Sequence, residues 1–277
     1  VAIPVRRLGK TGVDVTMLGL GGEGILRTYG RENEAVRLIN RALDMGITYC
    51  ESARAYSGSE SYYGKALRAR RRDVFLASKS HERSRRGALA HLHETLTNLG
   101  TEYLDLWQVH DVREETEIEE IFGPGGAMEA FVAAKEQGLT RFIGVTGHHD
   151  PAVIRRCIER FDFDTVLIPV NPAEPVYRSF LDSVLPMAQR KNMGIIGMKT
   201  YLRGLAARLP RYTSMEPFFR FALSQPVSTI VIGCDDLAQL EQNAAFARSY
   251  EPMTMTEQER LRRDVAPFAR RLLYYKP

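Results

Sequence analysis

The chain is 277 residues long, 44% hydrophobic and 26% charged, with a formal net charge of +4. That suffices to bury a large core, in one barrel or two smaller domains, and no apolar run is long enough to cross a bilayer as a helix. Its three cysteines, Cys50, Cys157 and Cys234, are widely spaced with no Cys-x-x-Cys, which argues against a disulfide framework or a cysteine-built metal site and fits a reducing cytoplasm. No signal peptide is legible, and the missing initiator Met reads as processing or as a product of recombinant expression. Basic runs at residues 68–72 and 83–86 lack interleaved aromatics and read as solvated helix ends. Neither nucleic acid nor a membrane is therefore an expected partner, and the oligomeric state is not legible.

In chain order, residues 5–16 read as a hairpin with Thr11-Gly12 at its turn, placed to plug the bottom of a barrel. Short β-branched runs follow at residues 17–20, 48–50, 74–79, 104–110, 142–146, 165–170, 194–198 and 229–232. Between them lie helical spacings, such as Ala35, Leu38, Ile39, Ala42 and Leu43, or Leu89, Leu92, Leu96 and Leu99. Gly46, Gly100, Gly138 and Gly194 are expected just past helix ends, and Asp150-Pro151 before a helix start. Eight alternating βα units in about 250 residues predict an α/β fold, a (β/α)8 TIM barrel. Residues 256–273 add an extra C-terminal helix, capped by Thr256-Glu257-Gln258-Glu259. With no Pro-, Gly- or Ser-rich linker, residues 1–277 read as one domain.

Strand tips converge on one face of such a barrel, where barrel enzymes keep their chemistry. Tyr56, Lys79 and His110 fall at successive tips. A phenol, an ammonium and an imidazole together make a proton-donor site for a carbonyl. Residues 111–126, with Gly123-Pro124-Gly125-Gly126, read as a mobile flap over that face. Trp107 is expected at the wall or mouth. His148 and His149 are expected to line or cap the substrate loop, and Tyr274-Tyr275 to reach the opening.

Several motifs, in order, resemble those of aldo-keto reductases. They are Arg7-Leu8-Gly9-Lys10-Thr11-Gly12 with Leu18-Gly19-Leu20-Gly21, then Gly46 through Tyr56 with Ser59-Glu60 and Gly64-Lys65-Ala66-Leu67. Leu104-Asp105-Leu106 before His110, Ile143-Gly144-Val145-Thr146, Arg203-Gly204 and Leu240-Glu241-Gln242-Asn243 complete the series. The Gly197-Met198-Lys199 segment resembles a branch that sometimes carries a C-terminal iron–sulfur domain, for which this chain lacks the cysteines.

The resemblance implies NAD(P)H-dependent reduction of a small aldehyde or ketone. The family's Asp, Tyr, Lys and His tetrad would fall on Glu51, Tyr56, Lys79 and His110. Lys79 would lower the phenol pKa of Tyr56 from ~10 so that it donates a proton more readily. Glu51 would hold Lys79, and His110 would orient the carbonyl oxygen. Glu51 stands where aspartate is usual; a displacement of ~1 Å can cost about 100-fold in rate.

The nicotinamide seat would comprise Thr146, Gly147 and Asn171, with Met198 packing on the ring. Gly21, Gly22, Lys199, Arg203, Gly204, Gly233, Asp235, Gln239, Gln242 and Asn243 would line the rest of the cofactor groove. The carboxylates of Asp235 and Asp236 favour NAD(H), whereas the family habit is NADP(H) and Lys199, Arg203 or Arg248 could compensate; the choice stays open. The alternative reading is a non-catalytic nicotinamide-binding barrel with a regulatory or interacting role. Two further barrel chemistries are a Schiff base on Lys79 or Lys199 and a metal on His110, Asp111, His148 and His149. The first leaves Tyr56 unexplained, and the second lacks a His-x-His near the first strand, so no metal is expected.

Overall fold

A computed structural model describes residues 2–277. The chain opens with an antiparallel hairpin, β1 (Val5–Arg7) and β2 (Asp14–Thr16), turned by a short 3-10 segment that ends at Gly12 with φ +73°. Eight parallel strands then close on themselves: β3 (Leu18–Gly24), β4 (Tyr49–Glu51), β5 (Phe75–Ser80), β6 (Leu104–Val109), β7 (Thr140–Thr146), β8 (Thr165–Pro169), β9 (Gly194–Met198) and β10 (Thr229–Cys234). Each pairs with its neighbour in sequence, and β10 returns to pair with β3. This is the expected (β/α)8 barrel with its N-terminal hairpin.

The helices wrap the strands. In order they are α1 (Glu32–Asp44), α2 (Ser59–Leu67), α3 (Arg85–Leu99), α4 (Glu115–Phe122), α5 (Ala127–Glu136), α6 (Pro151–Arg160), α7 (Phe180–Ser183), α8 (Leu185–Arg190), α9 (Glu216–Leu223) and α10 (Leu237–Arg248). The stripe of Ala35, Leu38, Ile39, Ala42 and Leu43 on α1 is buried, as its spacing requires. The Asp150 carboxylate accepts from Ala152 N–H and starts α6, with Pro151 at the first helical position. Among the described residues, no helix is long and apolar enough to cross a membrane.

Two apolar cores result. The larger lies between strands and helices. The smaller fills the barrel interior, where Tyr49, Phe75, Ala77, Leu106, Leu167 and Ile196 meet Leu8 and Val15 from the hairpin. The hairpin thus corks the bottom, so the interior is open only at the strand tips. Gly194 does not follow a helix end, as expected from sequence, but opens β9. Asn192 takes the left-handed turn after α8, at φ +50°. A Cβ on Gly194 would stand 2.7 Å from Leu8 Cδ1, so that glycine is needed for the cork to seat.

Two other expectations are corrected. The residues expected to form a flap, 111–126, instead carry α4, whose Ile118 and Ile121 are buried. Glu117 accepts from the Glu114 N–H at 3.0 Å and nucleates that helix. Arg83 ties the segment down through the carbonyls of His110 and Asp111, at 2.9 and 3.0 Å. The C-terminal helix α11 (Met255–Val265) is capped by Thr254, not Thr256, because Glu257 reaches back to the Thr254 N–H at 2.7 Å. A 3-10 turn at Ala266–Phe268 and a short α12 (Ala269–Leu272) then carry the chain back to the barrel mouth.

Candidate active site

Strand periodicity decides which polar groups enter the barrel. Side chains two residues apart share a face, so Glu51 follows Tyr49, Lys79 follows Phe75 and Ala77, and Gln108 follows Leu106 into the interior. The ladder sets Lys79 opposite Gln108 and Glu51 opposite Ala77. Room for these long side chains comes from two glycines. A Cβ on Gly19 would lie 2.7 Å from the Tyr49 ring, and one on Gly144 would lie 3.0 Å from Gln108 Cγ.

Glu51 and Lys79 are 2% and 1% exposed, so each depends on its partners for the solvation it has lost. Lys79 Nζ lies 2.9 Å from Glu51 Oε2 and donates to the Ser52 carbonyl at 2.8 Å. The other carboxylate oxygen accepts from Tyr49 Oη at 2.8 Å and Gln108 Nε2 at 3.1 Å. Burial alone would lower the Lys79 pKa, but Glu51 and then Tyr56 outweigh it and raise it. The ammonium therefore stays charged. Tyr49 and Gln108 were not foreseen from sequence. Their signal was available, because Tyr49 shares its strand face with Glu51 and Gln108 follows Leu106 inward beside Lys79.

Tyr56 sits in the turn before α2, its N–H on the Ala53 carbonyl at 3.0 Å. Its ring centre is 4.9 Å from Lys79 Nζ and 5.8 Å from the His110 ring, which meets it edge-on. Burial is the largest influence on the phenol and raises its pKa; Lys79 pulls the other way without prevailing. The expected net lowering is not met, and the phenol is held in its proton-bearing form. Burial, followed by the Lys79 charge, pushes the His110 pKa well below the usual histidine range, so the imidazole is neutral.

A cavity of about 610 Å³ opens over these groups and is lined by Glu51, Tyr56, Lys79, His110, Thr146 and Met198, among others. Gly21, Gly22 and Gly233 form part of its wall. A side chain on Gly22 would collide with Ser59 Oγ at 2.6 Å and the Tyr56 ring at 2.9 Å. The opposite wall holds His148, His149, Tyr274 and Tyr275, as expected of them. Trp107 is fully buried and stacks on Phe131 at 3.7 Å, in the wall and not at the mouth.

A second cavity, of about 640 Å³, adjoins the first and shares Glu23, Arg27, Lys199, Arg203, Val231 and Gly233 with it. Gly204, Asp235, Gln239, Gln242 and Asn243 are among the residues that line its remainder. At the junction Glu23 binds Arg203 at 2.9 Å and Arg27 at 2.7 Å. Burial alone would raise the Glu23 pKa, but Lys199, Arg203 and Arg27 together drive it down to about 2. Three cations against one carboxylate leave the junction positive. Glu23 and Arg27 gave no recognisable motif in the sequence.

Two expected cofactor residues are not brought to either cavity. Gly147 is covered by Ile154, whose atoms a Cβ there would strike. Asn171 is fully buried, its amide donating to Tyr275 Oη at 3.0 Å and to the Lys199 carbonyl at 3.3 Å. Tyr275 in turn donates to Glu174 at 2.7 Å, and Lys276 Nζ meets the same carboxylate at 2.7 Å. The returning tail thus takes the amide that the sequence assigned to the cofactor.

The description "Aldo/keto reductase family" belongs to the family model that matches residues 17–219. The chain belongs to this family of NAD(P)-dependent oxidoreductases. L-galactose dehydrogenase of Arabidopsis thaliana is 25% identical over 300 residues, covering 92% of each chain. The holo form of an aldo-keto reductase from Bacillus halodurans superposes with a TM-score of 0.79 at 23% identity, covering 95% of this chain and 96% of its own. An aldo-keto reductase from Klebsiella pneumoniae in complex with NADPH gives a TM-score of 0.77 at 20% identity, covering 100% and 97%. This aldo/keto reductase therefore shares its barrel fold with both structures.

Proposed function

We propose that the chain reduces a small aldehyde or ketone to the alcohol, with Tyr56 as proton donor and a nicotinamide cofactor lying along the two joined cavities. The observation that carries this reading is the buried Lys79–Glu51 pair, 2.9 Å apart beneath the Tyr56 ring, with His110 alongside. A structural ion pair at a barrel mouth has no need of a phenol and a neutral imidazole turned toward the same space.

The residues fit a dinucleotide. The two cavities, about 610 and 640 Å³, adjoin each other, their common wall includes the side-chain-free Gly233, and their junction is cationic where a pyrophosphate would pass. Met198, Thr146, Gly21 and Gly22 would contact the nicotinamide half, and Lys199, Arg203 and Gly204 the phosphates. When bound, the cofactor supplies the hydride that attacks the carbonyl carbon. Tyr56 Oη gives its proton to the oxygen on which negative charge then develops. Lys79 stabilises the phenolate left behind, which lowers the cost of that transfer. His110, being neutral, donates a hydrogen bond to the same oxygen and fixes its orientation. Glu51 balances Lys79, with Tyr49 and Gln108 as its positioning residues.

The test is titration of the purified protein with NADH and NADPH, followed by cofactor oxidation with a panel of aldehydes and ketones. Binding with turnover is expected, and Tyr56→Phe should lower kcat by about 10²–10⁴-fold while binding persists. Binding without turnover across the panel would favour the regulatory barrel. Equal turnover in Tyr56→Phe would remove that residue from the donor role.

A further inference from the structure

The two cavities differ in where their positive charge lies. Hydride transfer beside Tyr56 requires the nicotinamide in the first cavity, so the adenosine half must extend into the second. Every lysine or arginine that lines the second cavity, namely Arg27, Lys199 and Arg203, also lines the first. These cations gather at the junction around Glu23, at the level of the pyrophosphate. Beyond it, among the described residues, the far half of the groove has no cation. Of the side chains that could compensate, Arg248 is committed elsewhere, donating to the Met45 carbonyl at 3.2 Å.

The far half presents the Asp235 carboxylate instead, next to Asp236 at the start of α10. Asp236 caps α10, accepting from the Gln239 N–H at 2.8 Å. The Asp235 N–H donates to Gln239 Oε1 at 2.9 Å, so the helix start is satisfied by the protein's own oxygens. Helix N-termini favour anions, but here an anion is already built in. Asp235 itself is exposed and lines the cavity.

We infer that this chain selects NADH over NADPH and that Asp235 is the residue that selects, an inference that rests on the dinucleotide reading given above. A ribose with a free 2′-hydroxyl offers two O–H donors to a carboxylate. A 2′-phosphate brings about −1.5 to −2 charges at pH 7 to a cavity half that the Asp235 carboxylate lines and that has no compensating cation. A like charge brought to such a partly screened site disfavours binding by about ten-fold.

The experiment measures Kd for NADH and NADPH on the full chain by calorimetry, without substrate, for wild type, Asp235→Asn and Asp235→Arg. NADH is expected to bind at least about ten-fold more tightly to wild type. Asp235→Asn should narrow that ratio, and Asp235→Arg should reverse it by giving the phosphate a partner. NADPH binding wild type as well as or better than NADH would overturn the preference alone, leaving the reductase reading in place. An unchanged ratio in both variants would overturn the role of Asp235. Binding of neither cofactor by folded wild-type protein would bring down the dinucleotide reading and this inference together.

Discussion

At the barrel mouth, Glu51 and Lys79 are fixed by three strands at once, and both oxygens of the carboxylate are taken. In the far half of the groove, Asp235, Asp236 and Gln239 satisfy one another within a single turn at the surface. The first arrangement depends on barrel register and tolerates little change; the second is local and leaves exposed oxygens free to meet a ligand. On the proposed reading, chemistry sits on the rigid part and discrimination on the part that a single substitution can retune.

That contrast can be broken most forcefully at Lys79. Lys79→Met leaves the Glu51 carboxylate buried without its counter-charge, and the loss of stability in urea should be about 3–5 kcal/mol. A loss below ~1 kcal/mol would mean that Tyr49 and Gln108 alone can support the carboxylate.

Acid should strain the mouth next. His110 and His148 both have pKa values below the usual 6.5, His148 at about 4, with burial the leading cause. The unfolded chain takes up those protons near pH 6.5, while the folded chain resists them. Stability is therefore retained above pH 6.5 and lost as pH falls toward 4, by about 3 kcal/mol for His148 alone. Urea midpoints at pH 7.5, 6 and 5 check the sign, and His148→Asn should flatten the slope.

A smaller effect separates Glu51 from the aspartate usual in its family. The longer side chain is matched by the Tyr49 hydroxyl, so Tyr49→Phe should cost about 1–3 kcal/mol of stability and lower kcat more than it raises KM. Glu51→Asp should slow the enzyme, since the shorter carboxylate cannot hold Lys79, Tyr49 and Gln108 together. A faster Glu51→Asp enzyme would show that the glutamate is a handicap. Smallest of all, Gln239→Ala on the exposed groove should change stability by less than ~1 kcal/mol.

The barrel was legible because its signals are local and repeated: eight short apolar runs, helical stripes and glycines past helix ends. Tyr56, Lys79 and His110 were legible from their places at strand tips, and the cavity brings them together. What the sequence hid was the consequence of contacts far apart in the chain. Asn171 looked like a free amide until Tyr275, 104 residues later, took it. Residues 111–126 looked mobile because Gly123, Pro124, Gly125 and Gly126 stand out locally, whereas the Arg83 side chain that pins the segment lies on another loop. Tyr56 looked set for a lowered pKa because its neighbouring charge was visible, and the burial that outweighs it was not.

Closure of the barrel by β10 on β3 also has a bearing on biosynthesis. During translation the first barrel strand must wait about 200 residues for its last partner, roughly 10–40 s at ~5–20 residues per second. An open edge over that interval invites pairing with other nascent chains. Its sequence, Leu-Gly-Leu-Gly-Gly-Glu-Gly, is a poor strand former, with four glycines and a charge in seven residues. The glycines, of which Gly21 and Gly22 later form part of the cavity wall, thus also keep the waiting edge from attracting strangers.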